Sequence, residues 1–153
     1  MATINGGTGN DSLTGLAESD SITGNAGNDT LLGLGGNDSI FGGDGNDSLF
    51  GGIGNDLLEA GAGNDLIDGG DGIDTLSYLT SNAAIFVSLT SGTAEGGHAV
   101  GDFFTNVENL SGSAFGDTLI GDSGGNVLWG LAGDDSLDGR LGADTLHLSL
   151  IHI

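Results

Sequence analysis

The stretch Gly42-Gly43-Asp44-Gly45-Asn46-Asp47-Ser48-Leu49-Phe50 decides the fold, because variants of it recur every nine residues through the first half of the chain. Its first six residues are glycine, asparagine and aspartate, which tolerate positive φ and form turns. Its last three residues have the length of one short β-strand, with the middle side chain directed to one face. Each nonapeptide therefore predicts a turn followed by a short strand.

Aspartate and a large aliphatic residue keep the same phase in these repeats. The aspartates follow one another at intervals of nine residues, at Asp11, Asp20, Asp29, Asp38, Asp47, Asp56, Asp65 and Asp74. Two residues after each aspartate comes an aliphatic side chain, at Leu13, Ile22, Leu31, Ile40, Leu49, Leu58, Ile67 and Leu76. Two turn–strand units make one coil of 18 residues, so alternate aliphatics should stack on two opposite inner walls. We predict an all-β fold, a right-handed parallel β-roll of two sheets.

A second block of repeats begins in a new register. Its nine-residue series is Asp117, Asn126, Asp135 and Asp144, followed by Leu119, Leu128, Leu137 and Leu146. The 43 residues from Asp74 to Asp117 are not a multiple of nine, so the intervening segment resets the register. We predict a lead-in at 1–5, a first block at 6–77, an irregular β spacer at 78–111, a second block at 112–147 and a tail at 148–153.

The spacer and the tail depart from the repeat in different ways. In the spacer, Ile85, Val87 and Leu89 alternate as in a half-buried strand, so we expect strands that continue or cap the roll. The tail, 148–153, loses the acidic pattern and leaves two alternatives open. It is either an apolar capping strand or a sequence foreign to the natural protein, such as a translated cloning junction.

The charge of the chain excludes several classes of function. Its net charge is −21, and Arg140 is the only residue of lysine or arginine type in the sequence, so the chain repels nucleic acids and anionic membranes and attracts cations. It has no cysteine, which excludes disulfides and cysteine-based zinc or iron–sulfur sites. No apolar run approaches the roughly 18 residues of a membrane span. Nucleic acid is therefore not an expected partner, and no membrane span is expected.

Stacked aspartates require a counter-ion. Successive coils lie about 4.7–4.9 Å apart, and two carboxylates at about 5 Å repel each other by roughly 3 kcal/mol at an effective dielectric constant near 20. A Ca²⁺ ion between coils removes this repulsion, because two Ca–O distances of about 2.3–2.6 Å span the coil spacing. Mg²⁺ fits poorly because its bonds are shorter and its octahedral geometry is strict. The sequence predicts several Ca²⁺ ions as the cofactor.

The units at 6–14 and 42–50 resemble the RTX, or haemolysin-type, calcium-binding nonapeptide Gly-Gly-x-Gly-x-Asp-x-(large apolar)-x. The resemblance extends over residues 6–77 and 112–147. It implies a parallel β-roll in a secreted bacterial protein, located outside the cell or at its surface and exported by a type I secretion apparatus. It also implies that carboxylates and turn carbonyls of repeats n and n+2 share each Ca²⁺.

The same resemblance implies which residues bind the metal. The implied carboxylate ligands are Asp11, Asp29, Asp47 and Asp65 on one edge, Asp20, Asp38, Asp56 and Asp74 on the other, and Asp117, Asp135 and Asp144 in the second block. The implied backbone carbonyl ligands are Gly7, Gly9, Gly43, Gly45, Gly52, Gly54, Gly61 and Gly63. Asn126 leaves its pair with Asp144 one charge short. Phe115 replaces a turn glycine, so the turn before Asp117 resembles a cap more than a binding turn.

We expect no enzyme activity in this segment, because it has no catalytic constellation and a roll offers no deep pocket. The favoured hypothesis is a module that is disordered at low intracellular Ca²⁺, folds outside the cell, and serves secretion, stability or presentation of a functional domain elsewhere in the protein. Two alternatives are the non-catalytic part of an RTX protease, lipase or alginate epimerase, and the stalk or ligand-binding section of a calcium-dependent surface adhesin. The sequence does not specify a protein or glycan target.

Overall fold

A computed structural model describes residues 1–149 of the chain, which form short β-strands and one 3₁₀ helix, η1, at Gly97–Ala99. The strands of the first block are β1 Thr3–Asn5, β2 Ser12–Thr14, β3 Ser21–Ala26, β4 Thr30–Gly35, β5 Ser39–Asp44, β6 Ser48–Ile53, β7 Leu57–Ala62, β8 Leu66–Asp71 and β9 Thr75–Ser77. Those of the spacer are β10 Phe86–Ser88, β11 Thr93–Glu95, β12 Phe103–Thr105 and β13 Asn109–Ser111. Those of the second block are β14 Thr118–Ile120, β15 Val127–Trp129, β16 Ser136–Asp138 and β17 Thr145–His147.

The strands form two facing walls. One wall is an eight-stranded sheet in the order β1-β3-β5-β7-β9-β13-β15-β17. The other is divided between a five-stranded sheet, β12-β8-β6-β4-β2, and a four-stranded sheet, β11-β10-β14-β16. Repeats two apart are paired in parallel register, as with Ile22 and Ile40. The fold is therefore the expected all-β parallel solenoid with about 18 residues per turn and an irregular middle sheet. Its right-handedness stays a prediction.

In the first block, the core consists mainly of one large aliphatic side chain per nonapeptide. On the eight-stranded wall Ile22, Ile40, Leu58 and Leu76 are fully buried, and on the opposite wall so are Leu31, Leu49 and Ile67. Burial of one such side chain stabilises the fold by roughly 2 kcal/mol. The predicted stacking of alternate aliphatics on two walls is confirmed.

The spacer continues both walls. β12 pairs with β8, which places Phe104 beside Ile67, and β13 pairs with β9, which places Leu110 beside Leu76. Farther along, β10 pairs in parallel with β14 and antiparallel with β11. The expectation of strands that continue the roll is confirmed. Both alternatives for the tail stay open, because residues 150–153 lie outside the described part of the chain.

Backbone contact between coils explains the glycines in the turns. Gly54 has a φ of 141° and faces the carbonyl of Gly36 in the neighbouring coil so closely that a Cβ atom would collide with its oxygen. Such a position combines a left-handed backbone with direct coil-to-coil contact, which only glycine accommodates without strain. The turn sequence therefore sets how closely the coils, and the aspartates on them, approach each other.

Candidate calcium-binding ladders

The aspartates on each edge of the roll form a hydrogen-bonded ladder, of which each aspartate is one rung. The backbone N–H of a rung donates to Oδ1 of the aspartate 18 residues later. On the first edge the bonds run from Asp11 to Asp29 (2.8 Å), from Asp29 to Asp47 (2.8 Å) and from Asp47 to Asp65 (2.8 Å). On the second edge they run from Asp20 to Asp38 (2.7 Å), from Asp38 to Asp56 (2.8 Å) and from Asp56 to Asp74 (2.7 Å). The pairs expected to share an ion are therefore neighbouring rungs, while sharing itself stays a prediction.

The second carboxylate oxygen of most rungs is buried and has no hydrogen-bond partner. These open rungs are Asp29, Asp38, Asp47, Asp56, Asp65, Asp74 and Asp135. Their Oδ2 atoms are directed back at the first residue of the same nonapeptide, where a Cβ on Gly69, for example, would lie 2.7 Å from Oδ2 of Asp74. A buried ionised oxygen without a partner is strongly unfavourable. Rows of such atoms along both edges indicate a need for cations.

Burial also changes the acidity of the open rungs. It raises the pKa of Asp47 and of Asp74 to about 6, and the neighbouring carboxylates add to this effect. Burial likewise raises the pKa of Asp38, Asp56 and Asp65. The pKa of Asp20, in contrast, is lowered, because its carboxylate accepts hydrogen bonds from the backbone N–H groups of Ala2 and Leu16.

The donor atoms fit calcium. The open rungs offer carboxylate oxygens, and the turns beside them offer backbone carbonyls, the hard oxygen ligands that Ca²⁺ prefers. Within residues 1–149 no group of three or more His, Cys, Asp or Glu side chains could hold a metal by itself. Each ion would therefore combine carboxylates with backbone carbonyls. Of the eight glycines predicted to supply carbonyls, Gly43, Gly52 and Gly61 lie near the ends of β5, β6 and β7, and the others lie between strands of the first block. Their role stays a prediction.

Two spacer carboxylates extend the ladders, and the sequence analysis missed both. The N–H of Asp65 donates to Oδ1 of Asp102 (3.0 Å), and the N–H of Asp74 donates to Oε2 of Glu108 (2.8 Å). Burial raises the pKa of Asp102 to about 7. The available signal was an acid followed two residues later by a large apolar residue, at Asp102 and Phe104 and again at Glu108 and Leu110.

Some rungs are closed, because a protein donor occupies the second side-chain oxygen. The N–H of Gly7 donates to Oδ2 of Asp11 (2.6 Å), and the N–H of Leu16 to Oδ2 of Asp20 (2.6 Å). In the rest of the described chain, such donors also reach Asp102 and Asp117. Asn126 has a single side-chain oxygen, which accepts the N–H of Asp122 (2.9 Å). The predicted ligands Asp11, Asp20 and Asp117 therefore lie on the ladders but differ from the open rungs. Asp144 accepts the N–H of Asn126 through Oδ1 (3.0 Å), as a ladder rung does.

A parallel solenoid with aspartate ladders along its edges defines a class of repeat protein whose coils stack around cations. The family model of the RTX calcium-binding nonapeptide repeat, which holds four copies, matches residues 5–40, 41–76 and 111–146, well over half of the chain. The chain belongs to this family. Membership implies calcium binding and suggests a secreted protein.

A search of the curated proteins found no match. Among the helical residues of 1–149, no helix is long and apolar enough to cross a membrane.

Proposed function

We propose that this RTX calcium-binding module is disordered at the low Ca²⁺ concentration inside a cell and folds outside it, where Ca²⁺ is abundant. The observation that carries the proposal is the row of buried, unpartnered Oδ2 atoms on the open rungs. Without a cation these atoms oppose the stacking that buries the aliphatic core. Because a preformed site does not exist in the unfolded chain, the free energy of metal binding contributes directly to folding.

Each part of the repeat has a distinct role in this proposal. The open rungs hold the metal, bound Ca²⁺ supplies the positive charge that neutralises them, and the glycine turns let neighbouring coils approach. The backbone N–H of each rung orients the carboxylate of the next, so the oxygens are positioned by the same hydrogen bonds that connect the coils. With two carboxylates per ion, we expect weak sites, of roughly 10⁻⁴–10⁻³ M, which fill cooperatively along the stack.

The biological role proposed for the module is to assist the secretion and stability of a larger bacterial protein, or the presentation of its functional domain. A chain that stays unfolded until it meets Ca²⁺ can be threaded through a type I secretion apparatus. We propose no catalytic function for the segment. Of its histidines, His98 lies in η1, and His147 stacks on Trp129 with ring centroids 5.7 Å apart.

Far-UV circular dichroism tests the proposal. The full chain is titrated from 1 mM EGTA to about 10 mM Ca²⁺, with Mg²⁺ at equal concentration as the control. We expect a cooperative gain of β signal with Ca²⁺ near the millimolar range and little response to Mg²⁺. A spectrum that stays unchanged between EGTA and Ca²⁺ contradicts metal-coupled folding.

A further inference from the structure

Of two closed rungs, Asp102 lies within the spacer and Asp117 lies just after it, and in both a side-chain hydroxyl binds the carboxylate. The hydroxyl of Tyr78 donates to Oδ2 of Asp102 (3.0 Å), and Tyr78 is itself buried, with 2% of its surface exposed. The hydroxyl of Ser113 lies 2.9 Å from Oδ1 and 3.0 Å from Oδ2 of Asp117, and its backbone N–H also donates to Oδ2 (2.5 Å). At these two rungs, hydroxyls of the protein occupy the oxygens that the open rungs leave without a partner.

A third buried carboxylate beside the spacer is also satisfied by protein donors. Glu59, 6% exposed, accepts the hydroxyl of Ser77 (3.1 Å) and the N–H of Thr80 (2.9 Å). A backbone donor of the spacer also satisfies the first carboxylate of the second block, since the N–H of Ile85 donates to Oδ1 of Asp117 (2.9 Å). Asp102, Asp117 and Glu59 thus have donors from the chain on both carboxylate oxygens, whereas each open rung of the repeats has a donor on Oδ1 and none on Oδ2.

The turns of the closed rungs differ from those of the open rungs in their backbone. In the nonapeptides of the open rungs, the second residue is left-handed even where it is not glycine, as with Asn25 (φ 80°), Leu34 (φ 74°) and Leu131 (φ 68°). Ser113, in the equivalent position before Asp117, lies outside the left-handed region and donates its N–H to the carboxylate. The closed turn is therefore a distinct conformation in which the chain itself supplies the donors.

The spacer also buries more varied apolar surface than the repeats. Tyr78, Ile85, Val87, Phe104 and Val107 are all buried, in addition to Leu110 on the continuous wall. The first block contributes one large aliphatic side chain per nonapeptide, which gives four over the 36 residues of 42–77, compared with these six over the 34 residues of 78–111. The spacer therefore combines a larger apolar contribution to stability with buried charges that need no metal.

We propose that residues 78–120 form a metal-independent core of the roll, in which the hydroxyls of Tyr78 and Ser113 take the place of a cation at Asp102 and Asp117. These two rungs bind no Ca²⁺, and the spacer keeps its structure when Ca²⁺ is removed. The repeats on either side then order against an existing template as Ca²⁺ fills the open rungs. The part concerning the repeats rests on the proposed function, whereas the part concerning the spacer does not.

Hydrogen exchange followed by mass spectrometry on the full chain tests this proposal. In calcium-stripped buffer with EGTA, we expect peptides within 78–120 to exchange at least tenfold more slowly than an unstructured chain. Peptides within 24–56 should become protected only after Ca²⁺ is added. If 78–120 exchanges like an unstructured chain in EGTA, or if 24–56 is equally protected there, the inference is wrong. If 78–120 is protected in EGTA and 24–56 stays unprotected in Ca²⁺, the inference stands and metal-coupled folding of the repeats fails.

Two hydroxyl deletions test the named donors. Tyr78→Phe keeps the ring and Ser113→Ala keeps the backbone donor, so each variant removes one hydroxyl. We expect either substitution to reduce the protection of 78–120 in EGTA at least tenfold, while 24–56 still becomes protected in Ca²⁺, which shows that the variant folds. The matched control is Ser91→Ala, whose hydroxyl bonds only Thr93 in an exposed loop. Unchanged protection in both hydroxyl variants would overturn the role assigned to these donors.

Discussion

The backbone N–H of Asp29 donates to Oδ1 of Asp47, 2.8 Å away and one coil farther along the roll. This bond uses one oxygen of the Asp47 carboxylate and leaves the other buried in the turn without a partner. The hydrogen bond that connects the coils therefore also fixes the position of the unpaired charge. Both the hydrogen bond between coils and the need for a cation depend on the Asp47 side chain, so substitution of this one residue tests the two together.

Replacement of one open rung should weaken calcium binding. Asp47→Asn keeps an oxygen for the N–H of Asp29 but removes the negative charge, so we expect the midpoint of the calcium titration to rise by about tenfold, or about 1.4 kcal/mol. The charge-matched control is Asp44→Asn, since Asp44 is exposed and lies outside the ladder. Isothermal titration calorimetry measures both variants. Equal effects of the two substitutions would show that overall charge, and not the ladder, controls binding.

Coil contact at Gly54 should not tolerate a side chain. Gly54→Ala places a Cβ against the carbonyl of Gly36 at a φ of 141°, so we expect destabilisation of the calcium-loaded protein by more than the roughly 1–2 kcal/mol that a left-handed conformation costs an ordinary residue. Gly9→Ala is the control, because a Cβ there would meet no atom within 4 Å. Thermal unfolding in saturating Ca²⁺ compares them. A melting temperature for Gly54→Ala equal to that of Gly9→Ala contradicts the close coil contact.

The two inner walls should dominate the stability of the folded state. Leu49 is fully buried, so Leu49→Ala should lower the free energy of unfolding by about 2–5 kcal/mol. Leu66 faces outward with 41% of its surface exposed, and Leu66→Ala should cost less than about 1 kcal/mol. Urea unfolding in saturating Ca²⁺ measures both. The assignment of the inner faces is wrong if the Leu66 variant is the less stable of the two.

Acid should favour the metal-free roll. Burial raises the pKa of Asp47 and Asp74 to about 6 in the folded state, above their value in the unfolded chain. The folded chain therefore binds protons more tightly, and the stability that this provides is complete below the unfolded pKa and is lost as pH rises through about 6. In calcium-stripped buffer we expect more β signal at pH 5.0 than at pH 7.5.

Lowering the pH should have the opposite effect on folding when Ca²⁺ is present. Protons and Ca²⁺ then compete for the open rungs, so the apparent calcium affinity should fall as pH decreases below about 6. Circular dichroism at both pH values, with light scattering to detect association near the isoelectric point of about 4.1, follows the two effects. A metal-free chain that gains no order at pH 5.0 would contradict the raised pKa values.

The nine-residue period was sufficient to predict the walls and the regular rungs, because each coil repeats the same geometry. It could not identify Asp102 or Glu108, since these rungs follow Asp65 and Asp74 at separations of 37 and 34 residues instead of 18. The nine-residue period could not identify the hydroxyl donors to Asp102 and Asp117 either. Tyr78 lies 24 residues before its partner, and that contact depends on the path of the spacer.

Asp117 illustrates the limit of a motif. Its spacing places it among the predicted calcium ligands, and the structure does place it on a ladder, with its N–H donating to Oδ1 of Asp135 (2.9 Å). The closing hydroxyl of Ser113 comes from a turn that the sequence marks only by Phe115 in a glycine position. The motif identifies a carboxylate that could bind a metal. The conformation of the turn before it determines whether a hydrogen-bond donor of the chain already occupies that carboxylate.

The segment between β9 and β12 contributes the hairpin of β10 and β11 to one wall of the roll, while the eight-stranded wall runs past it without interruption. Because one wall is continuous, extra residues can be accommodated on the other wall without altering the stacking of the continuous one. The hairpin of β10 and β11 is therefore a suitable site for an inserted loop. An engineered epitope or reporter inserted in the exposed turn at 90–92 would be displayed on the surface of the roll while the coils before and after it remain in register.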